Sequence, residues 1–97
     1  MTGRQPTDDA EENWVTVRYW AAARAAAGVA EESVVADNLA DLLGEISRRH
    51  GDRDRFDDVV STCSILVGEV PVGAREHADV ALRAGDTIEL LPPFAGG

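Results

Sequence analysis

The sequence contains no lysine, and this absence removes several kinds of chemistry at once. A P-loop, a Schiff-base enzyme and an acceptor of side-chain conjugation each need a lysine amine. All nine basic residues are therefore arginines, and eighteen carboxylates oppose them to give a net charge of -9. Such a surface repels polyanions, so nucleic acid and anionic membranes are disfavoured as partners.

Cysteine and long apolar runs are also scarce. Cys63 is the single cysteine, which excludes an internal disulfide and a cysteine metal cluster and suits a reducing compartment. No apolar run approaches the roughly 20 residues that span a bilayer, and residues 1–13 are polar where a signal peptide would be apolar. We therefore expect a soluble cytoplasmic protein with no bound cofactor and no metal site.

The length permits one hydrophobic core, since a single domain typically needs roughly 100 residues. Residues 1–13 are acidic and carry no sizeable apolar side chain after Met1, which predicts a disordered arm. Residues 14–91 hold the patterned segments and are predicted to form the folded domain. Residues 92–97 are predicted to be an extended, flexible tail.

Alternation of apolar and polar residues predicts strands, and a two-residue turn joins two of them. Gly68 at the first turn position favours a type II′ turn, and Pro71 makes the arm that follows an edge strand. The strands are predicted at residues 15–20, 32–36, 64–67, 70–72 and 87–91.

Helical spacing predicts one main helix, with Asn38 as its N-cap and Gly51 as its C-terminal stop. Gly44 inside it either admits a close neighbour or weakens the helix by about 1 kcal/mol, and the pattern leaves both open. A short alanine-rich helix at residues 21–27 and a helical turn near Phe56 complete an α+β fold, with one helix on one mixed sheet. The predicted core is Val17, Tyr19, Leu42, Leu43, Ile46, Ile65, Val67, Ile88 and Leu90.

The tail reads Pro-Pro-Phe-Ala-Gly-Gly. The prolines keep its first part extended, and the glycines leave its end thin enough to thread a narrow channel. The Gly97 carboxylate is the least hindered acyl group that a chain can offer, so the predicted chemistry is activation of that carboxylate. A frayed terminus is the alternative.

The other reactive side chains have structural explanations. Cys63 precedes a strand and is predicted to be a small core residue, with a sulfur relay as the alternative. His50 is predicted to cap or balance the dipole of the main helix, and His77 has no second ligand at metal spacing. The acidic pairs at residues 31–32 and 57–58 are predicted to be solvated.

Four stretches resemble the MoaD/ThiS sulfur-carrier family: residues 17–28, the Arg-His-Gly step at 49–51, the turn at 82–88 and the tail at 91–97. The resemblance implies a ubiquitin-like β-grasp fold. It also implies that a ubiquitin-activating-like adenylyltransferase uses ATP to adenylate Gly97, after which sulfur replaces AMP to give a thiocarboxylate.

The same resemblance implies a role as the sulfur-carrier subunit of molybdopterin synthase. In that role the chain has no active site of its own, and a larger catalytic subunit, in a heterotetramer, uses two charged carriers to build the dithiolene of molybdopterin. The alternatives are a carrier for cysteine or thiazole synthesis and a ubiquitin-like modifier that is joined to lysines of other proteins.

Strand alternation also predicts where a partner docks. If the core side chains face the helix, Trp20, Leu66 and Leu91 face the open side of the sheet, and a β-grasp sheet makes Trp20 and Leu91 neighbours. Exposed aromatic and apolar patches usually mark interfaces. The alternative is that the alanine-rich helix folds over Trp20. The predicted partner-binding residues are Trp20, Leu66, Leu91, Pro93, Phe94, Ala95 and Gly96.

Overall fold

The computed structural model describes residues 12–52 and 55–93, and it forms one mixed sheet with its helices on one face. The predicted α+β class and ubiquitin-like β-grasp fold are confirmed. The elements in chain order are β1 (Trp14–Tyr19), α1 (Ala21–Ala27), β2 (Glu31–Val35), α2 (Leu39–His50), α3 (Phe56–Ser61), β3 (Ser64–Val67), β4 (Val70–Pro71), a short 3-10 turn (His77–Asp79) and β5 (Thr87–Leu91).

The five strands are ordered β2-β1-β5-β3-β4, so the last strand lies at the centre of the sheet. β1 and β5 run parallel, with Tyr19 opposite Leu90, while the other neighbours are antiparallel. The predicted edge position of the arm that carries Pro71 is confirmed. Because β5 has a neighbour on each side, its end provides a firm base for the residues that follow it.

The main helix begins and ends where the sequence predicts. The Asn38 side chain accepts a hydrogen bond from the Asp41 N–H at 2.8 Å, and the Gly51 N–H donates to the Ser47 carbonyl at 2.7 Å. Gly44 is exposed, and a Cβ placed there would have no heavy atom within 4 Å. The second of the two explanations therefore holds: within residues 12–52 and 55–93 no neighbour requires a glycine at position 44, and Gly44 only weakens the helix.

The core lies between α2 and the face of the sheet that carries Val17 and Ile88. Six of the nine predicted core residues are buried. The other three, Leu43, Ile65 and Val67, are half-buried and pack against the core at its border. β3 lies toward the short edge strand, where α2 covers the sheet less completely, and Leu43 lies at the rim of the helix face.

The hairpin between β3 and β4 differs from the prediction in its turn type. Gly68 and Glu69 have φ angles of +58° and +71°, and positive φ at both central residues defines a type I′ turn rather than type II′. The twist of type I′ matches that of the paired strands, and Val67 lies opposite Val70 across the turn. Glu69 therefore occupies a left-handed conformation that a non-glycine residue adopts at a cost.

A polar cluster around Glu32 joins β2 to the end of α2. The Tyr19 hydroxyl donates to Glu32 Oε2 at 2.5 Å, His50 Nε2 lies 2.7 Å from the same oxygen, and an Arg49 N–H donates to Oε1 at 3.1 Å. Partial burial disfavours the charged carboxylate, but the hydrogen bonds from Tyr19, His50 and Arg49 outweigh it and hold the pKa of Glu32 below its usual value.

The Glu32 cluster corrects one prediction. Glu32 is not a solvated residue, because only 17% of its side chain is exposed, whereas its neighbour Glu31 is 61% exposed. His50 lies in the last turn of α2, the position expected of a partner for the helix dipole, and its buried ring also lies beside Tyr19 and Phe56 and faces Glu32. Burial and the Glu32 hydrogen bond also raise the pKa of Tyr19, so its phenol remains a donor.

Candidate interface at the end of the central strand

The last described residues continue directly from β5. Leu91 pairs with Ser64 of β3, Pro92 is buried and Pro93 is exposed. The chain is therefore anchored through Pro92 and reaches the surface at Pro93. The predicted site residues Phe94, Ala95, Gly96 and Gly97 lie outside the described residues.

Trp20 lies beside this anchor point. Its N–H donates to the Leu90 carbonyl at 3.2 Å, while its own carbonyl accepts from the Ala23 N–H at 2.9 Å and begins α1. Trp20 is therefore both the last residue of the strand pairing and the N-cap of the helix. Ala21, which follows it, has a φ of +49°. The indole remains 41% exposed.

The alternative in which the alanine-rich helix covers Trp20 is wrong. α1 buries Ala23, Ala26 and Ala27 and packs against α3, on the helical side of the sheet. The Trp20 ring instead lies against Arg18, whose guanidinium carbon is 5.1 Å from the ring centroid. This distance is within the range of a cation–π contact, which holds the indole over the open face.

Leu66 and Leu91 share the open face with Trp20. Both are half-buried, and each lies on a strand that has a neighbouring strand on either side. The register places Leu66 opposite Glu89 and Leu91 opposite Ser64. The structure therefore brings Trp20, Leu66 and Leu91 onto one face, near the point where the tail begins. We call these three residues the apolar docking patch.

A charged row that sequence reasoning missed crosses the same face. Arg18 lies opposite Glu31 on one side and Glu89 on the other, with nitrogen-to-oxygen distances of 3.7 Å and 3.4 Å. The alternation that places Trp20 and Leu91 on the open face also places Arg18 and Glu89 there. The signal was therefore present in the sequence, but the strand register was needed to bring the charges together.

Cys63 fits the structural explanation rather than that of a sulfur relay. Its half-buried thiol donates weakly to the Val59 carbonyl at 3.4 Å and packs against the core. Burial raises the pKa of Cys63 to about 11, so almost none of it is thiolate at neutral pH. It lines an open groove of about 400 Å³ that also borders Leu43 and His77.

Neither a metal cluster nor a membrane-crossing element is found in the part of the chain that the structure describes. Within residues 12–52 and 55–93, no three His, Cys, Asp or Glu side chains come together as metal ligands would. None of the helices in those ranges is long and apolar enough to cross a bilayer.

Comparison with known proteins agrees with this geometry. The ThiS family model matches residues 17–97, a span that includes the docking patch and the two glycines. The molybdopterin synthase sulfur carrier subunit of Chlamydomonas reinhardtii is 33% identical over 86 residues, which cover 86% of this chain and 98% of that protein.

Two solved structures share the fold. Small archaeal modifier protein 1 from Methanosarcina acetivorans has a TM-score of 0.74 at 22% identity, over 90% of this chain and 99% of that one. A chain in the complex of subunits 1 and 2 of molybdopterin-converting factor from Helicobacter pylori has a TM-score of 0.59 at 21% identity, over 87% of this chain and 99% of that one. The chain therefore belongs to the MoaD/ThiS sulfur-carrier family and, within it, is similar to the small subunit of molybdopterin synthase.

Proposed function

We propose that this chain carries sulfur as a thiocarboxylate on Gly97 and delivers it within molybdopterin synthase. The observation that carries the proposal is the position of the tail: it leaves a central strand that is anchored on both sides, and it does so beside an exposed tryptophan. A carrier needs a mobile reactive end on a rigid base, and it needs a surface that aligns this end with a partner's active site.

The chemistry takes place in two steps at the Gly97 carboxyl group. A carboxylate is a poor electrophile, so the Gly97 oxygen first attacks the α-phosphorus of ATP on an adenylyltransferase and releases pyrophosphate. Hydrosulfide supplied by the sulfur donor then attacks the carbonyl carbon of the acyl adenylate and expels AMP, and loss of the remaining S–H proton leaves a thiocarboxylate. ATP is a substrate of the activating partner, and the carrier itself contributes only the acyl group and the docking surface.

Delivery of the sulfur requires the carrier to dock on a partner, and the apolar docking patch provides the surface for it. Trp20, Leu66 and Leu91 form an apolar surface at the base of the tail, and we propose that the larger subunit of molybdopterin synthase covers it, with Pro93, Phe94, Ala95 and Gly96 lying in that subunit's channel.

A binding measurement with two matched tryptophan variants tests this proposal. Trp14 is 45% exposed on the same face and lies at the opposite end of β1, about 20 Å from Trp20 at the usual rise of a strand. We expect Trp20→Ala to weaken binding to the purified larger subunit by about 2 kcal/mol or more, roughly 30-fold, and Trp14→Ala to have little effect. Equal effects of both variants would contradict the proposed docking site.

A ubiquitin-like modifier remains the second candidate, because the archaeal modifier protein shares the fold. The two functions diverge after activation: a carrier retains sulfur, whereas a modifier forms an amide with a target amine. Reconstitution with the activating enzyme, ATP, a sulfur donor and the larger subunit distinguishes them. We expect molybdopterin to form with the full chain and not with a chain that lacks Gly97.

A further inference from the structure

The charged row on the open face has one cation for two carboxylates. The Arg18 guanidinium lies between Glu31 and Glu89, at 3.7 Å and 3.4 Å, and both distances exceed the roughly 2.7 to 2.9 Å of a strong charge-assisted hydrogen bond. The Arg18 guanidinium carbon also lies 5.1 Å from the ring centroid of Trp20, so the same cation is in contact with three neighbouring side chains. The row therefore carries a net negative charge, because the single positive charge of Arg18 balances only one of the two carboxylates.

The two carboxylates differ in their exposure to water. Glu31 lies on the edge strand with 61% of its side chain exposed, so water solvates it. The Glu89 side chain is only 19% exposed, because it lies on the central strand between Arg18 and Leu66. Any partner that covers the apolar docking patch must also cover Glu89, whereas Glu31 at the rim can remain in water.

We infer that Glu89 receives a cationic side chain of the docked partner and thereby helps to select that partner. This inference rests on the proposed docking function. A carboxylate that loses its remaining water with only a shared guanidinium beside it is costly to bury, and an arginine or lysine from the partner removes that cost. A partner with a carboxylate at the same place would put three negative groups around one guanidinium and would be rejected.

The partner surface can therefore be described by its chemistry. It has an apolar recess for Trp20, Leu66 and Leu91, with a basic side chain at the position that faces Glu89. The net charge of -9 favours encounter with a basic surface of this kind over longer distances.

Binding of charge-neutral variants to the purified larger subunit tests the inference, and Glu31→Gln is the matched control. We expect Glu89→Gln to weaken binding about tenfold, mainly through faster dissociation, and to reduce the dependence of the Kd on salt concentration. Glu31→Gln should change the Kd by less than about twofold, as is usual for an exposed charge at the rim. Glu89→Asp, which keeps the charge, should recover part of the loss.

Thermal melting of each free variant separates a binding effect from a folding effect. We expect Glu89→Gln to melt within a few degrees of the natural chain, because it removes a partly exposed ion pair and no core contact. A Kd of Glu89→Gln equal to that of Glu31→Gln, with Trp20→Ala still impaired, would overturn this inference and leave the proposed function intact. Absence of binding by the natural chain would overturn both.

Discussion

Gly44 shows how a single residue can weaken an element without serving the fold. It is exposed in the middle of α2, and the space where a Cβ would lie is open. We expect Gly44→Ala to raise the free energy of unfolding by about 0.5 to 1 kcal/mol, because alanine loses less backbone entropy on folding. Urea denaturation followed by circular dichroism measures the change.

Gly51 provides the contrasting substitution. A Cβ there would clash with the Ser47 carbonyl oxygen, which accepts the hydrogen bond that ends α2. Gly51→Ala should therefore destabilise the chain under the same conditions. If both alanine variants changed stability in the same direction, the distinction between an open and a crowded glycine would be wrong.

Cys63 should react slowly because burial keeps its thiol protonated. With a pKa of about 11, Cys63 has far less thiolate at pH 7.5 than an ordinary cysteine. We expect alkylation by iodoacetamide to be about 100-fold slower in the folded chain than in the same chain in urea. Mass spectrometry over time gives both rates. Similar rates in the two states would restore the sulfur-relay explanation.

At the scale of elements, the Glu32 cluster attaches the end of α2 to the edge strand β2. Removing the carboxylate charge leaves the Tyr19 hydroxyl and the Arg49 guanidinium with a weaker acceptor in a partly buried place. Glu32→Gln should therefore lower the free energy of unfolding at pH 7 by about 1 to 3 kcal/mol.

The same variant should flatten the dependence of stability on pH. Because the pKa of Glu32 is lower in the folded chain, the stability that its charge contributes is complete above the unfolded pKa of 4.5 and is lost as the pH falls through the folded pKa. We expect stability to fall less in Glu32→Gln than in the natural chain between pH 6 and pH 3. Equal losses of stability in the two chains would show that folding does not favour the ionised form of Glu32.

The two adjacent leucines of α2 test how the helix is oriented on the sheet. Leu42 is fully buried and Leu43 is half-buried at the rim. Leu42→Ala should cost about 2 to 5 kcal/mol, because it leaves a cavity, whereas Leu43→Ala should cost only about 1 kcal/mol. Chemical denaturation measures the free energy of unfolding of both variants. A larger decrease for Leu43→Ala than for Leu42→Ala would mean that the helix is rotated on the sheet.

Local chemistry explains why much of the fold could be predicted. The bounds of β5 and the two ends of α2 follow from alternation, from the Asn38 side chain and from Gly51, all of which act within a few residues. The turn type did not follow, because glycine at position 68 permits both type I′ and type II′. The role of Glu32 did not follow either, since Tyr19 and His50 are 13 and 18 residues away from it.

In the candidate site, too, the features that depend on nearby residues could be predicted and those that depend on distant residues could not. Alternation along single strands was enough to place Trp20, Leu66 and Leu91 on one face, because each position depends only on its own strand. The interaction of Arg18 with Glu89 depends on the register between strands that are 71 residues apart in sequence. Sequence patterning does not fix that register, so the central charge of the docking face emerged only from the structure.

At the scale of the whole molecule, the proposed function separates a folded domain from a reactive C-terminal end. The sheet, α2 and the docking patch make a stable body that carries an acidic surface, and the family match extends through the two glycines. Removing both glycines should therefore abolish sulfur loading and leave the melting temperature unchanged, because they follow the last paired residue of β5. A truncated chain that unfolded would contradict this separation.

The central claim is that the Gly97 carboxylate becomes a thiocarboxylate, and intact-mass spectrometry of the chain tests it directly. The chain would be incubated with its activating enzyme, ATP and a sulfur donor, with omission of ATP as the control. Because one sulfur replaces one oxygen, we expect the mass to rise by about 16 Da only when ATP is present, and the increase to disappear on addition of the larger subunit with its pterin substrate. Unchanged mass, or larger adducts joined through an amide to other proteins, would contradict the account.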